Sequence, residues 1–380
     1  MTRLGDVGKV VTGNTPKTSD SQNYASNDIC FIKPSDIADG IVSYLNDSEF
    51  YISKYARANA RIAPPKSVLV TCIGIIGKVA INNMECAFNQ QINTIIPDMS
   101  KCLTEYLAYA IQNKQLEMQD MANAPVVPIL NKTQFSDIEI NLPSLIEQKV
   151  IVEKMDVVSR LIALRKEQIA KLDQLVKSRF IELFGDVANS PKYSGVPLGT
   201  ICSTLSGGTP TTKIPEYYQG DIPWISTPYL GNNHINGSSA KAYITEDAIK
   251  NSATHLIPAN TIMFGIRVGV GKSSIIDEPM CANQDIVALI GIDTNKYNLL
   301  FVKHVLDGYQ SHFDSIKKGA TILGITTDDL KKVMIPVVEM ELQNQFATFV
   351  EQTDKSKLVI QQSLNKLELL KESMMQKYFG

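Results

Sequence analysis

Two segments of this chain set glycine, hydroxyl and lysine groups side by side: Gly13-Asn14-Thr15-Pro16-Lys17-Thr18 and Gly207-Gly208-Thr209-Pro210-Thr211-Thr212-Lys213. Residues of these types bind anions. Glycine lets backbone N–H groups close on a phosphate, and Ser, Thr and Lys donate to its oxygens. Thr15, Lys17, Thr18, Thr209, Thr211, Thr212 and Lys213 are the candidate contacts, with an ordinary tight turn as the competing reading. Lys78 and Lys272 follow Gly77 and Gly271 and invite a nucleotide-binding reading. The spacing argues against it. Five residues separate Gly265 from Gly271, one more than the phosphate-binding loop allows, and Val79 stands where Ser or Thr is needed. A phosphate-backbone contact or a plain strand–turn remains for both lysines.

Asn89-Gln90-Gln91 and Asn283-Gln284-Asp285 form an amide-rich pair. Asn and Gln can pair with adenine, and Arg with guanine. Both segments keep Asn-Gln, whereas readers of different bases should differ, so satisfying loop backbone is the favoured role here. Positions that do differ are better candidates for reading sequence: Arg267 against Ile73, and Lys33-Pro34-Ser35 against Ser226-Thr227-Pro228. Signs of catalysis are weak. No GxSxG, HExxH or N-P-P-Y motif occurs, and His234, His255, His304 and His312 all lie in the second half. They read as surface or core residues.

Composition sets the frame. The chain has 380 residues, 44% of them hydrophobic and 20% charged, with a formal net charge of -2. That predicts globular domains with cores of their own, and excludes the basic composition of a domain that grips DNA alone. A nucleic-acid ligand would need partner subunits to supply positive surface. Cys30, Cys72, Cys86, Cys102, Cys202 and Cys281 form no C-x-x-C pair and read as free thiols. No signal peptide and no membrane-length apolar run is present, so a cytoplasmic protein without membrane contact is expected.

The elements that position these segments come in two copies. Leu4, Gly5, Gly13, Thr15 and Pro16 recur 194 positions later as Leu198, Gly199, Gly207, Thr209 and Pro210. Gly77-Lys78 matches Gly271-Lys272, Asn89-Gln90 matches Asn283-Gln284, and Gln148 and Phe184-Gly185 match Gln343 and Phe379-Gly380. Matches in one order over the whole length mean a tandem duplication. Each repeat opens with short apolar runs between turn residues, the pattern of a mixed α/β domain, and closes with a stretch free of Pro and internal Gly, a long helix. The boundaries read as 1–143 and 186–336 for the two domains, and 144–185 and 337–380 for the helices.

Apolar residues on both helices follow a heptad. Met155, Val158, Ile162, Ile169, Leu172, Val176 and Leu183 occupy a and d in the first. Val350, Ile360, Leu364, Leu367, Met374 and Tyr378 do so in the second, with Arg165, Arg179, Lys357 and Lys371 interrupting the seams. The equal lengths and registers favour mutual pairing as a coiled coil over two helices packed separately on their own domains. About 40 residues at 1.5 Å rise make a rod of roughly 60 Å. Antiparallel pairing would relate the two domains by a pseudo-two-fold axis, a geometry suited to two half-sites on duplex DNA.

A Gly-Gly-Thr-Pro loop near the start of each repeat (Gly-Asn-Thr-Pro in the first), the Gly-x-Gly-Lys strand signal, and a Pro followed by Gln at the start of each long helix together resemble the type I restriction–modification specificity subunit. The likeness covers essentially the whole chain. It implies an α+β fold: two mixed α/β target recognition domains separated by two long helices in an antiparallel coiled coil. It also implies a non-catalytic subunit that binds double-stranded DNA and reads a bipartite, asymmetric target. Two modification subunits would dock on it and methylate adenine N6, and restriction subunits would join them. No cofactor is expected in this chain; S-adenosylmethionine, ATP and Mg belong to the partners. Under this reading Thr15, Lys17, Thr18, Lys33, Ser35, Lys78, Thr209, Thr211, Thr212, Lys213, Ser226, Thr227, Arg267 and Lys272 are the expected DNA contacts. Asn14 departs from the pattern, and the tolerance of Asn for left-handed backbone is expected to preserve the turn.

Overall fold

In the structure, a computed structural model describing residues 1–122, 127–240, 242–319 and 323–380, the unbroken apolar runs become central strands. Val68–Thr71 and Val79–Asn82 are buried along their whole length. Side chains alternate between the two faces of a strand. Val68, Val70, Val79 and Ile81 therefore meet Tyr106, Leu107 and Ile111 of helix α1 (Thr104–Asn113). Leu69 and Ala80 point the other way, onto Ile32 and Phe88. A strand covered on both faces has no polar period to display, and each buried Val, Leu or Ile contributes about 2 kcal/mol.

The chain divides into two compact units, Met1–Lys166 with Gln362–Gly380, and Glu167–Gln361. The first contains a five-stranded sheet in the order Gly8–Thr12, Ile92–Pro97, Val68–Thr71, Val79–Asn82, Val42–Leu45. The last pair is parallel and the rest antiparallel. The second unit repeats this with Ser203–Ser206, Ile286–Ile290, Thr261–Gly265, Ser273–Ile276 and His234–Ile235, again with only the last pair parallel. A smaller sheet accompanies each. It has four strands in the first unit and three in the second, where the bridge Ile257–Met280 stands in for the fourth. The duplication read from residue offsets is thus a duplication of topology.

Two 40-residue helices complete the fold: α2 (Leu145–Phe184) and, beyond helix α3 (Leu299–Gly308) of the second unit, α4 (Met340–Phe379). Ser144 and Glu147 form a capping box at the start of α2. The Glu147 N–H donates to Ser144 Oγ at 3.3 Å, and the Ser144 N–H to Glu147 Oε2 at 3.0 Å. Gly185, at φ +80, ends the helix in the left-handed conformation that favours glycine. In each unit the two helices pack antiparallel. Met155 shares a core with Phe379, Met374 and Tyr378 in the first. Val176, Phe180 and Phe184 share one with Phe346 and Val350 in the second. Ion pairs cross between the helices, Lys166–Glu368 at 2.9 Å and Lys357–Asp173 at 2.6 Å.

The heptad residues face inward. Met155, Val158, Val176, Val350 and Leu364 are buried, and Ile162, Ile169, Leu172, Leu183, Ile360, Leu367 and Met374 are half-buried. Phe180 and Phe346, outside the a and d positions, are buried too, their rings meeting edge-on at 5.3 Å. Gln148 and Gln343 are fully buried. Gln148 accepts from the Leu103 N–H at 2.8 Å and donates to Lys101 and Pro143 carbonyls, both at 2.9 Å. Gln343 does the same with Asn298, Lys296 and Val338. One side chain per repeat thereby ties the start of the long helix to the segment leading into α1 or α3. The six cysteines are unpaired. Among the described residues, no helix is long and apolar enough to cross a membrane, and no cluster is placed to hold a metal ion.

Candidate nucleic-acid interface

Each Gly-x-Thr-Pro loop is held from beneath and leaves its hydroxyl and lysine side chains outside. In the first unit the Gly13 N–H donates to the Ile92 carbonyl and the Asn14 N–H to that of Phe88, both at 3.0 Å. A Cβ on Gly13 would lie 2.1 Å from the Asn89 carbonyl oxygen, so only glycine fits. Pro16 is buried, and its carbonyl accepts from the Tyr24 hydroxyl at 2.7 Å. Thr15 donates to Gln90 Oε1 at 2.6 Å. The second unit reproduces every part. Gly207 and Gly208 donate to Ile286 and Ala282, Tyr218 donates to the Pro210 carbonyl at 2.7 Å, and Thr209 donates to Gln284. Thr15, Lys17, Thr18, Thr209, Thr211, Thr212 and Lys213 are all exposed.

The account of Asn14 needs correcting. Neither Asn14 nor its counterpart Gly208 has positive φ. Gly208 is required because a Cβ there would lie 2.4 Å from the Thr254 nitrogen. In the first unit that space holds the Asn14 side chain, which donates to the Asn59 carbonyl at 2.6 Å and accepts from the Arg61 N–H at 2.7 Å. The asparagine is a bridge and not a substitute for backbone freedom.

The Asn-Gln corner splits by residue. Asn89 and Asn283 are buried and close on the residue two further along: Asn89 Nδ2 donates to Gln91 Oε1 at 2.8 Å, and Asn283 Nδ2 to Asp285 Oδ2 at 3.1 Å. Gln90 and Gln284 point outward to the loop threonines.

The remaining candidates differ between units. In the first, Thr15, Thr18 and Lys33 come together around a cleft of about 370 Å³, with Tyr24, Phe31 and Phe50 in its wall. Lys33 Nζ sits 3.1 Å from the centre of the Phe50 ring, a cation–π contact. Ser35 is exposed on the same turn. Lys78 is spent internally: its ammonium donates to the Ile37 carbonyl at 2.8 Å and the Pro34 carbonyl at 3.1 Å, propping the turn that carries Lys33. In the second unit Thr227 is a packing residue, buried with its methyl over Gly265. Ser226 is half-exposed, and Lys272 and Arg267 are exposed. Arg267 Nη1 lies 3.7 Å from Asp285 Oδ1, a partner the sequence did not suggest. His304 is largely enclosed, against the Phe346 ring, and desolvation pushes its pKa down to about 4, with Asp307 opposing and Lys303 adding to the shift.

Comparison with known proteins agrees with this duplication. The family model described as the type I restriction modification DNA specificity domain matches twice, at residues 1–174 and 192–369. The MjaIX type I restriction enzyme specificity subunit of Methanocaldococcus jannaschii is 31% identical over 171 residues, which is 44% of this chain and 40% of that protein. The chain thus spans about two-fifths of the length of the curated relative it matches there. The S subunit of a type I restriction–modification system from M. genitalium superposes with a TM-score of 0.57 at 13% identity, covering 100% of this chain and 95% of that one. A chain from a structural study of complex assembly in the type I R-M system gives 0.59 at 17% identity, covering 99% and 96%. With the same recognition fold built twice and the same family model matched to each copy, this chain belongs to the type I restriction–modification DNA specificity family.

Proposed function

We propose that the chain is the non-catalytic reader of a type I restriction–modification complex, with each repeat reading one half of a bipartite, asymmetric DNA target. The observation that carries this is the pairing of sameness and difference in the two units. The same Thr–Gln bond holds the same loop in both. Beside that loop in the first unit stand Lys33 and Gln91, replaced in the second by Ser226 and Asp285, and elsewhere in the repeat Ile73 is replaced by Arg267. A shared clamp suits phosphate contact, which carries no sequence information, and the divergent surroundings suit base contact, which does. Two different surroundings mean two different half-sites.

On this reading residues 1–143 and 186–336 are the recognition domains, and the helices of 144–185 and 337–380 set the spacing between half-sites. Modification subunits bring S-adenosylmethionine and the chemistry of adenine N6 methylation. Restriction subunits bring ATP and Mg. The net charge of -2 makes the partners the main source of positive surface.

The test is a genome-wide map of N6-methyladenine in cells carrying the modification subunit, with and without this gene. A two-part asymmetric motif that vanishes with the gene is the expected result. An unchanged map, or loss of a palindrome, overturns the reading.

A further inference from the structure

We propose that Arg267, held by Asp285, reads a guanine in the half-site of the second unit. The inference rests on the DNA-reading role above and adds a base and a positioning residue to it.

Arg267 stands in the turn that joins Thr261–Gly265 to Ser273–Ile276, and that turn is pinned. The Gly271 N–H donates to the Gly265 carbonyl at 3.1 Å and the Lys272 N–H to Gly269 at 3.1 Å. Ile266, buried beside Arg267, donates its N–H to the Asp285 carbonyl and accepts from the Ile325 N–H, both at 2.8 Å. The side chains are arranged as pointedly. Asp285 is only 14% exposed, and its carboxylate accepts from Asn283 Nδ2 at 3.1 Å, while Arg267 is 52% exposed. A sheltered carboxylate thus pairs, at 3.7 Å, with a guanidinium that reaches outward. Gln284, next in the chain to Asp285, is the partner of Thr209, so the carboxylate paired with Arg267 is one residue from the clamp of the loop proposed to meet phosphates.

The chemistry selects a base over a phosphate. Guanidinium is a planar fork with five donors. Drawn by Asp285 at one edge, the fork has another from which to donate in parallel to guanine O6 and N7. The Asp285 charge cancels most of the long-range pull that Arg267 would exert on the DNA backbone, yet leaves its directional bonds intact. Orientation in advance also reduces the entropy lost on binding. The first unit has Ile73 and Gln91 at these two positions, so the device belongs to one half-site alone.

The test uses the full chain assembled with its modification subunit and a duplex library randomised at every target position. Wild type and the Arg267→Ala, Arg267→Lys, Asp285→Asn and Asp285→Glu variants are compared by sequencing bound DNA, with thermal melting as a folding control. Arg267→Ala should erase a guanine preference of about tenfold to a hundredfold at a single base pair of one half-site. Arg267→Lys should erase most of it as well, because an ammonium keeps the charge and loses the fork. Asp285→Asn should weaken that same preference without lowering affinity for random duplex, and Asp285→Glu should restore it. Columns of the other half-site are the internal control. A uniform loss of affinity in Arg267→Ala that Arg267→Lys repairs would make Arg267 a phosphate contact and overturn the proposal, as would a guanine column that survives Arg267→Ala. If wild type shows no preference at any position, the DNA-reading role itself fails and this inference falls with it.

Discussion

The Thr15 hydroxyl donates to Gln90 across 2.6 Å, tying the Gly-x-Thr-Pro loop to the Asn-Gln corner over a separation of 75 residues. Thr209 and Gln284 repeat the bond at the same separation. Each loop is therefore clamped by an amide from a different part of its own unit. Thr15→Val and Thr209→Val keep shape and remove the donor. Methylation directed by the assembled complex should fall about fivefold for either variant, matching roughly 1 kcal/mol for a net hydrogen bond. Both residues are exposed, so melting temperature should move little. Sequencing methylated sites should show the same two half-sites in both variants, because a phosphate contact carries no sequence information.

Gln148→Leu and Gln343→Leu each strand three backbone groups beneath a buried side chain. The expected cost is about 3 kcal/mol per variant, since each unsatisfied buried group carries a desolvation penalty. Urea denaturation should show a lower midpoint. Gln→Glu at either site should fare no better, because the carboxylate cannot donate to the two carbonyls.

His304 makes stability of the second unit depend on pH. Its folded pKa lies at about 4, below the ordinary 6.5, because burial disfavours the charged ring. Between those values the unfolded chain binds a proton that the folded chain does not. Stability therefore falls as pH drops through that window, by up to about 3 kcal/mol. His304→Phe should flatten this part of the dependence, as read by denaturant midpoints at pH 7 and pH 4.5. The first unit carries Tyr109 at this place and lacks the contribution.

Adding one heptad to both α2 and α4 lengthens each helix by about 10 Å, or roughly three base pairs of duplex. Methylation mapping of that variant should show the same two half-sites with a longer spacer. Altered half-site sequences would contradict the assignment of reading to the sheets and spacing to the helices.

Much of this was legible in the sequence for physical reasons. Gln148 and Gln343, or Gly13 and Gly207, could be aligned because their roles admit few substitutes: a buried amide with three partners, and a glycine 2.1–2.2 Å from a carbonyl were a Cβ present. The heptad was legible because inward-facing positions must be apolar. What those residues touch was not. By residue type Lys78 reads as a phosphate-backbone contact, and only the fold shows two carbonyls accepting from its ammonium. Thr227 looked available until Gly265 was seen beneath it. Asp285 was invisible as the partner of Arg267, because 18 residues and two strand turns separate them in the chain. Periodicity reports which way a residue faces, while pairing across strands depends on topology.

The first unit is not continuous in the chain. It takes in Gln362–Gly380, and the Phe379 ring lies 5.1 Å from that of Tyr106 in its core. During synthesis the first unit must wait, incomplete, until the end of α4 has left the ribosome. A stop codon that removed the final turn of α4 would damage the first unit and spare the second, whose chain is made just before it.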